Sequence, residues 1–288
     1  MAPFIAKTSC GVSGMLSESA SNRFGGIARL YGVQGLERLL ASHACIVGIG
    51  GVGSWAAEAL ARTGVGALTL IDLDEICVTN SNRQIHSLAS TVGQSKVMVM
   101  RERLLQINPE CRVTVVEDFI DSDNVRRLLE GPFDLVIDAI DNVPAKAAVV
   151  AYCRRNKVNL VCTGAAGGQT DPLAIDIADL NKTYNDPLLA NVRSLLRKRY
   201  GFSRNTRRNY GVSCVYSTQQ LLYPQADGSV CSQKSLTDGE VKLDCSGGFG
   251  AATMVTASFG FVAAARGVER ILKQVKSTDS QPDAGSAP

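Results

Sequence analysis

CxxC pairs are missing from this chain, and its nine cysteines are scattered singly. An odd count at irregular spacing in an α/β pattern argues against a disulfide framework and for reduced thiols in a cytoplasmic compartment. Histidine is nearly absent: His43 and His86 are the only two, and neither lies in a pattern that demands catalysis. The opening MAPFIAKTSC lacks a long apolar core after a basic start, so no secretory signal is expected. Acidic residues are missing between Pro187 and Ala226, where Arg193, Arg197, Lys198, Arg199, Arg204, Arg207 and Arg208 occur. Charge of either sign is missing between Ser246 and Ala265, a length that would just span a bilayer. Four glycines with several Thr and Ser interrupt that segment. They favour a helix buried in the core or at a dimer interface over membrane contact. The net charge of +3 is too small to imply nucleic-acid binding by itself.

What is present begins with Cys45–Asp72, CIVGIGGVGSWAAEALARTGVGALTLID. An apolar run from Cys45 to Ile49 reads as a buried strand. A turn with Gly48, Gly50, Gly51 and Gly53 follows, then a helix over 55–62 and a second strand over 67–71. Glycines let backbone amides approach phosphate oxygens, and the helix N-terminus beyond them adds partial positive charge. Asp72 lies at the usual distance for a carboxylate that holds a ribose hydroxyl.

Further along, alternation continues. Arg23–Leu40 is a helical lead-in, 96–107 a helix, 113–116 a strand and 124–129 a short helix. A strand over 133–137 runs into DAIDN, followed by a helix over 144–155 and a strand over 158–162. Later strands are expected at 173–177 and 212–216, and a long apolar helix over 247–273. The expected class is α/β, a doubly wound Rossmann-like sheet whose C-terminal extension carries the basic insert and the long apolar helix. Residues 1–21 and 275–288 read as disordered tails around a single domain of residues 22–274, with the basic insert at 187–210. In such sheets ligands sit at the carboxyl ends of strands, which brings Gly50, Asp72 and Asp141 to one edge.

Three features gather near the glycine loop: Asn80, Asn82, Arg83 and Gln84 after the second strand, Lys96 at a helix start, and Asp138 with Asp141 at the end of the fourth strand. An Arg and a Lys converging on a glycine loop suit a triphosphate better than a dinucleotide. Fixed cations help when negative charge shifts during displacement at phosphorus, and an Asp beside them can hold Mg²⁺. Each residue alone would pass for a solvated charge or a cap; their convergence at strand ends is what indicates a site.

GxGGxGS, LIDLDEICVTNSNRQ, the Gly-Gln-Ser-Lys run ending at Lys96, and DAIDN together resemble the ubiquitin-activating-like adenylating family of ThiF, MoeB and HesA relatives. The resemblance spans roughly Arg23 to Lys273. It implies ATP binding and adenylation of a carboxylate with release of pyrophosphate. By resemblance, Gly48, Gly50, Gly51 and Gly53 line the phosphates and Asp72 takes the ribose. Asn80, Arg83 and Lys96 contact phosphates, and Asp74, Gln84 and Asn142 join the nucleotide contacts. Asp141 supports Mg²⁺ and catalysis, with Arg83 and Lys96 as the other catalytic residues. No motif demands a monovalent cation, although the chemistry admits one.

Two departures narrow the branch. Relatives that serve sulfur-carrier proteins usually have two CxxC pairs for a structural zinc, so no zinc is expected here. RFGGIARLYG, CRRNK, SGGFGAATMVTASFGF and the basic insert resemble the branch that dehydrates threonylcarbamoyladenosine in tRNA. There ATP activates the threonyl carboxylate as an acyl-adenylate, and intramolecular attack closes a ring with loss of AMP. The basic insert would then attract the RNA backbone. An arginine supplied across a homodimer often completes the site in this family. Its RYxRQ pattern fails near Gly26, which leaves Arg23 or Arg29. Cys231, in GSVCSQK, stands where relatives often carry a loop thiol. Sulfur acceptance from a cysteine-desulfurase partner and a purely structural cysteine both stay open. Three competing functions remain: adenylation of a ubiquitin-like sulfur carrier, NAD-dependent oxidoreduction, and a non-catalytic RNA scaffold.

Overall fold

The computed structural model describes residues 16–225, 227–232 and 249–273. Two helices lead in, α1 (Glu18–Tyr31) and α2 (Val33–Leu40). The first half then runs β1 (His43–Val47), α3 (Gly53–Arg62), β2 (Ala67–Ile71), α4 (Lys96–Ile107) and β3 (Arg112–Val116). Next come α5 (Val125–Leu128), β4 (Leu135–Asp138), α6 (Val143–Arg155) and β5 (Leu160–Thr163). The chain continues with β6 (Ile175–Asp179), α7 (Pro187–Arg199), β7 (Ser213–Ser217), β8 (Tyr223–Pro224), β9 (Val230–Cys231) and α8 (Thr253–Lys273).

Seven strands form one sheet in the order β3-β2-β1-β4-β5-β7-β6, and β8 pairs with β9. The central strands HACIV, ALTLI, LVID and LVCT are buried along nearly their whole length. This is the continuous apolar pattern of strands covered on both faces. Ile46, Leu68, Leu70 and Ile137 pack beneath α3, α4 and α8, whereas Cys45, Val47 and Val136 pack beneath α5, α6 and α7. Val47 pairs with both Ile71 and Asp138. The loops after β1, β2 and β4 therefore leave the same edge together, on either side of the β1–β4 switch in strand order. That edge is where a doubly wound sheet binds its ligand.

Several expectations are corrected. The sheet is mostly parallel, but β6 runs antiparallel to β7, as an edge strand covered on one side can. The lead-in is two helices broken at Gly32, and α1 starts inside the polar N-terminal stretch because Ser17 accepts a hydrogen bond from the Ala20 amide. The acid-free insert, where no helix is expected from the sequence, begins with α7, capped by Asp186. The long apolar helix over 247–273 is not found. α8 begins at Thr253, and Arg266, Glu269, Arg270 and Lys273 make its second half amphipathic. Among the described residues no helix is long and apolar enough to cross a membrane. Residues 1–15, 247–248 and 275–288, which carry parts of the tail and helix expectations, lie outside the described residues.

Candidate active site

The glycine loop opens at Gly48, whose φ is 86°. A Cβ on Gly53 would stand 1.8 Å from the Gly48 carbonyl oxygen, so the turn closes only on glycine. Val52 occupies the N-cap of α3 and offers no side-chain cap. The Ser54 amide donates to the Gly50 carbonyl at 3.2 Å, and no side-chain cap takes the amides of Gly53 and Trp55, which can meet an outside anion. Ser54, one residue inside the helix, is buried with an unpartnered Oγ. Asp72, at the end of β2, fixes the loop from the side. Its Oδ2 accepts from the Ile49 amide at 2.6 Å and its Oδ1 from the Asp74 amide at 2.9 Å. Each oxygen keeps a lone pair for a further donor. Burial pushes the Asp72 carboxyl up, against the Lys96 charge and the two amides.

The wall opposite the loop is the NSNRQ segment. Asn80 is buried; its Oδ1 accepts from the Cys77 amide at 3.0 Å, and its carbonyl accepts from the Arg83 and Gln84 amides. That turn lays the Arg83 stem across the loop, 3.2 Å from where a Cβ on Gly51 would be. The Arg83 guanidinium donates to the Thr79 carbonyl and to Asn82 Oδ1. Gln84 is buried and its Oε1 is unpartnered. Lys96, the first residue of α4, is buried and donates from Nζ to Asp74 Oδ2 at 2.7 Å. Asp74, expected among the nucleotide contacts, is the counter-ion of Lys96.

On the third side is DAIDN. Ile140 packs on the loop, its Cγ2 2.9 Å from where a Cβ on Gly48 would be. Asp141 is exposed, and among the described residues its carboxylate has no partner. Asn142, expected as a nucleotide contact, caps α6 by accepting from the Ala145 amide at 3.0 Å. Asp138 is fully buried beneath the turn and paired to Lys146 at 2.8 Å.

Sequence reasoning missed several supports. His86 Nε2 donates to the Ile49 carbonyl at 2.9 Å, and burial lowers its pKa to about 4. The ring is therefore neutral at physiological pH. The chain at the start of α8 braces the wall: Asn82 Nδ2 donates to the Ala251 carbonyl, Thr253 Oγ1 donates to the Asn82 carbonyl, and Thr256 Oγ1 donates to the Arg83 carbonyl. Trp55 Nε1 donates to the Arg83 carbonyl as well, at 3.0 Å. A hydrogen bond from one helix's side chain to a distant loop leaves no spacing signal in sequence.

The basic insert lies elsewhere. α6 and α7 run away from the carboxyl edge, so their C-termini and the 200–212 loop reach the amino edge of the sheet. Arg193 and Arg197 are absorbed by the fold: Arg193 donates to Thr183 Oγ1, and Arg197 donates to Tyr210 OH and Asn181 Oδ1. Lys198, Arg199, Arg204, Arg207 and Arg208 are exposed. Asp179 shapes the loop that presents them by accepting from the Tyr210, Gly211 and Val212 amides. Arg154, Arg155 and Lys157 at the end of α6 are exposed toward the same edge. Arg23 donates to the Ile107 carbonyl at the far end of α4, Arg29 is exposed, and Cys231 is half-buried in β9. Among the described residues no group of three or more His, Cys, Asp or Glu is placed to hold a metal.

Known proteins resemble this chain in sequence and fold. The chain is 56% identical over 261 residues to the tRNA threonylcarbamoyladenosine dehydratase of Escherichia coli, spanning 91% of this chain and 97% of that protein. It is 52% identical over 257 residues to the dehydratase of Haemophilus influenzae, spanning 89% of this chain and 96% of that protein. A crystal structure of the E. coli tRNA N6-threonylcarbamoyladenosine dehydratase in complex with ATP superposes with a TM-score of 0.82 at 51% identity, covering 91% of this chain and 99% of the other. The ThiF family profile matches residues 25–281, and the chain belongs to the ThiF family.

Proposed function

We propose that this chain catalyses the ATP-dependent dehydration of threonylcarbamoyladenosine in tRNA to its cyclic form. The observation that carries the reading is the start of α3 without a side-chain cap, with the Arg83 stem against Gly51, Gln84 Nε2 near Gly50 and Ile140, the neighbour of Asp141, against Gly48. Relatives that match nearly end to end are dehydratases of this kind.

ATP lies with its phosphates on the glycine loop and its ribose on Asp72. The threonyl carboxylate attacks the α-phosphorus, a new C(O)–O–P bond forms, and pyrophosphate leaves with the electron pair. Intramolecular attack on the acyl carbon then closes the ring and expels AMP. Lys96 exchanges Asp74 for a phosphate oxygen, and Arg83 reaches the same group. Each such preorganised cation contributes on the order of 10²–10³ in rate. Asp141 is the residue that fits a Mg²⁺ ion, which would neutralise charge developing on the phosphates.

The exposed cations of the amino edge would grip the RNA backbone, about 17 Å from the nucleotide edge for a five-residue strand. A homodimer is part of the reading: Leu73, Val78, Leu88 and Val92 are exposed beside the site, and a second copy would cover them. Arg23 or Arg29 of that copy would complete the phosphate contacts. A tRNA substrate and free thiols support a cytoplasmic setting. Adenylation of a sulfur carrier is not favoured, because the near end-to-end relatives act on tRNA.

The test is AMP release. Modified tRNA should be required for it, and tRNA lacking the threonylcarbamoyl group should not support it. Equal AMP release with both would overturn the reading.

A further inference from the structure

Beneath the Ala139–Asn142 turn lies a buried polar cluster that the steps above do not use. Lys146 Nζ meets Asp138 Oδ1 at 2.8 Å with both side chains 0% exposed. It also donates to the Asp138 carbonyl at 3.3 Å and lies 3.7 Å from Cys162 Sγ. Asp138 Oδ1 accepts from the Ile140 amide at 3.2 Å, and its Oδ2 accepts from the Cys162 thiol at 3.3 Å. Thr163 Oγ1 donates to the Asp138 carbonyl at 3.2 Å. One residue thus joins the end of β4, the first turns of α6 and the end of β5.

Stability alone explains this pair poorly. Replacing a buried ion pair with apolar side chains of similar volume is often neutral or stabilising. The surroundings would accept such a swap, since Val136, Val149 and Val150 are buried close by in the same layer. What the pair holds is more telling. Asp141 stands three residues beyond Asp138, makes no side-chain hydrogen bond or ion pair among the described residues, and follows Ile140, which packs on Gly48. The turn is tied down by the Ala139 amide on the Val47 carbonyl, the Ile140 amide on Asp138 and the Asn142 cap on α6.

We propose that the Lys146–Asp138 pair is a positioning element of the active site, setting the Ile140–Asp141 turn against the glycine loop and thereby placing the Asp141 carboxylate. The inference rests on the adenylating function proposed above. Lys146 and Asp138 touch no substrate and act through Asp141.

The test is a mutant cycle on the full-length protein. Asp138→Leu and Lys146→Met together remove both charges and leave no buried ion unpaired. The double variant should keep a cooperative thermal transition and bind ATP within about two-fold of the parent, while kcat falls on the order of 10². Asp141→Ala should cost on the order of 10² in the parent and less than about five-fold in the double variant, because the two changes remove one function. A folded double variant with parental kcat would overturn the proposal, as would additive losses. Lys146→Arg keeps the charge pair with a different reach, so the same cycle in that background decides the matter if the apolar variant does not fold. A parent protein with no ATP-dependent conversion would count against the function itself; loss confined to the variants bears on the pair alone.

Discussion

His86 shows what a single side chain contributes that its sequence position conceals. It holds the Ile49 carbonyl and is neutral because burial lowers its pKa from the ordinary 6.5 to about 4. In the unfolded chain it protonates freely. As pH falls from 6.5 to about 4, the unfolded state takes up the proton first, so stability present above 6.5 is lost across that window. The full effect is on the order of 3 kcal/mol. His86→Gln should therefore flatten the decline of Tm between pH 7 and pH 5, and an unchanged slope would argue against this coupling. Lys96→Ala and Asp141→Ala should each lower kcat on the order of 10² while leaving the thermal transition in place; full activity in either purified variant would contradict the site assignment. The glycines, Asp72, Arg83, Lys96 and Asp141 were legible because they recur at motif spacing around a strand-turn-helix unit. His86 and Lys146 were not. Their roles arise only when the fold brings His86 to Ile49 and Lys146 to Asp138.

Among the elements, α8 links packing to the site. A Cβ at Gly260 would lie 2.6 Å from the Val52 carbonyl oxygen and 2.9 Å from the Ala56 amide, both backbone atoms of the phosphate loop and α3. Gly260→Ala forces α8 outward and should cost about 1–3 kcal/mol. Its urea midpoint should fall, and the KM for ATP should rise because Val52 belongs to the loop. A variant of parental stability would show that α8 has room to shift. Strand and helix periodicity located β2 and α4 as they stand, over 67–71 and 96–107. β1 ends two residues sooner than its apolar run, because Gly48 turns the chain before Ile49. α7 was hidden by its own charge: its cations obscured the apolar face of Leu189, Val192 and Leu196. The apolar reading of α8 failed because the helix begins only at Thr253 and carries Arg266, Glu269, Arg270 and Lys273 in its second half.

At the scale of the whole molecule, the sheet separates two chemistries. The proposed nucleotide site lies at its carboxyl edge, and the exposed cations of the insert gather at its amino edge. The class of fold and the clustering of Gly50, Asp72 and Asp141 followed from strand alternation; the opposite placement of the basic residues required the direction in which α6 and α7 run. Changing Arg204, Arg207 and Arg208 together to Ala should raise the KM for tRNA, leave the KM for ATP unchanged, and make tRNA binding less salt-dependent by about one logarithmic unit of slope per lost phosphate contact. Unaltered tRNA binding would remove this edge from the RNA interface. The central claim is tested most directly by mass spectrometry of nucleosides after the protein is incubated with ATP, Mg²⁺ and tRNA carrying threonylcarbamoyladenosine. The account predicts ATP-dependent loss of one water from that nucleoside. An unchanged nucleoside, with pyrophosphate exchange appearing only when a small carrier protein is added, would contradict it.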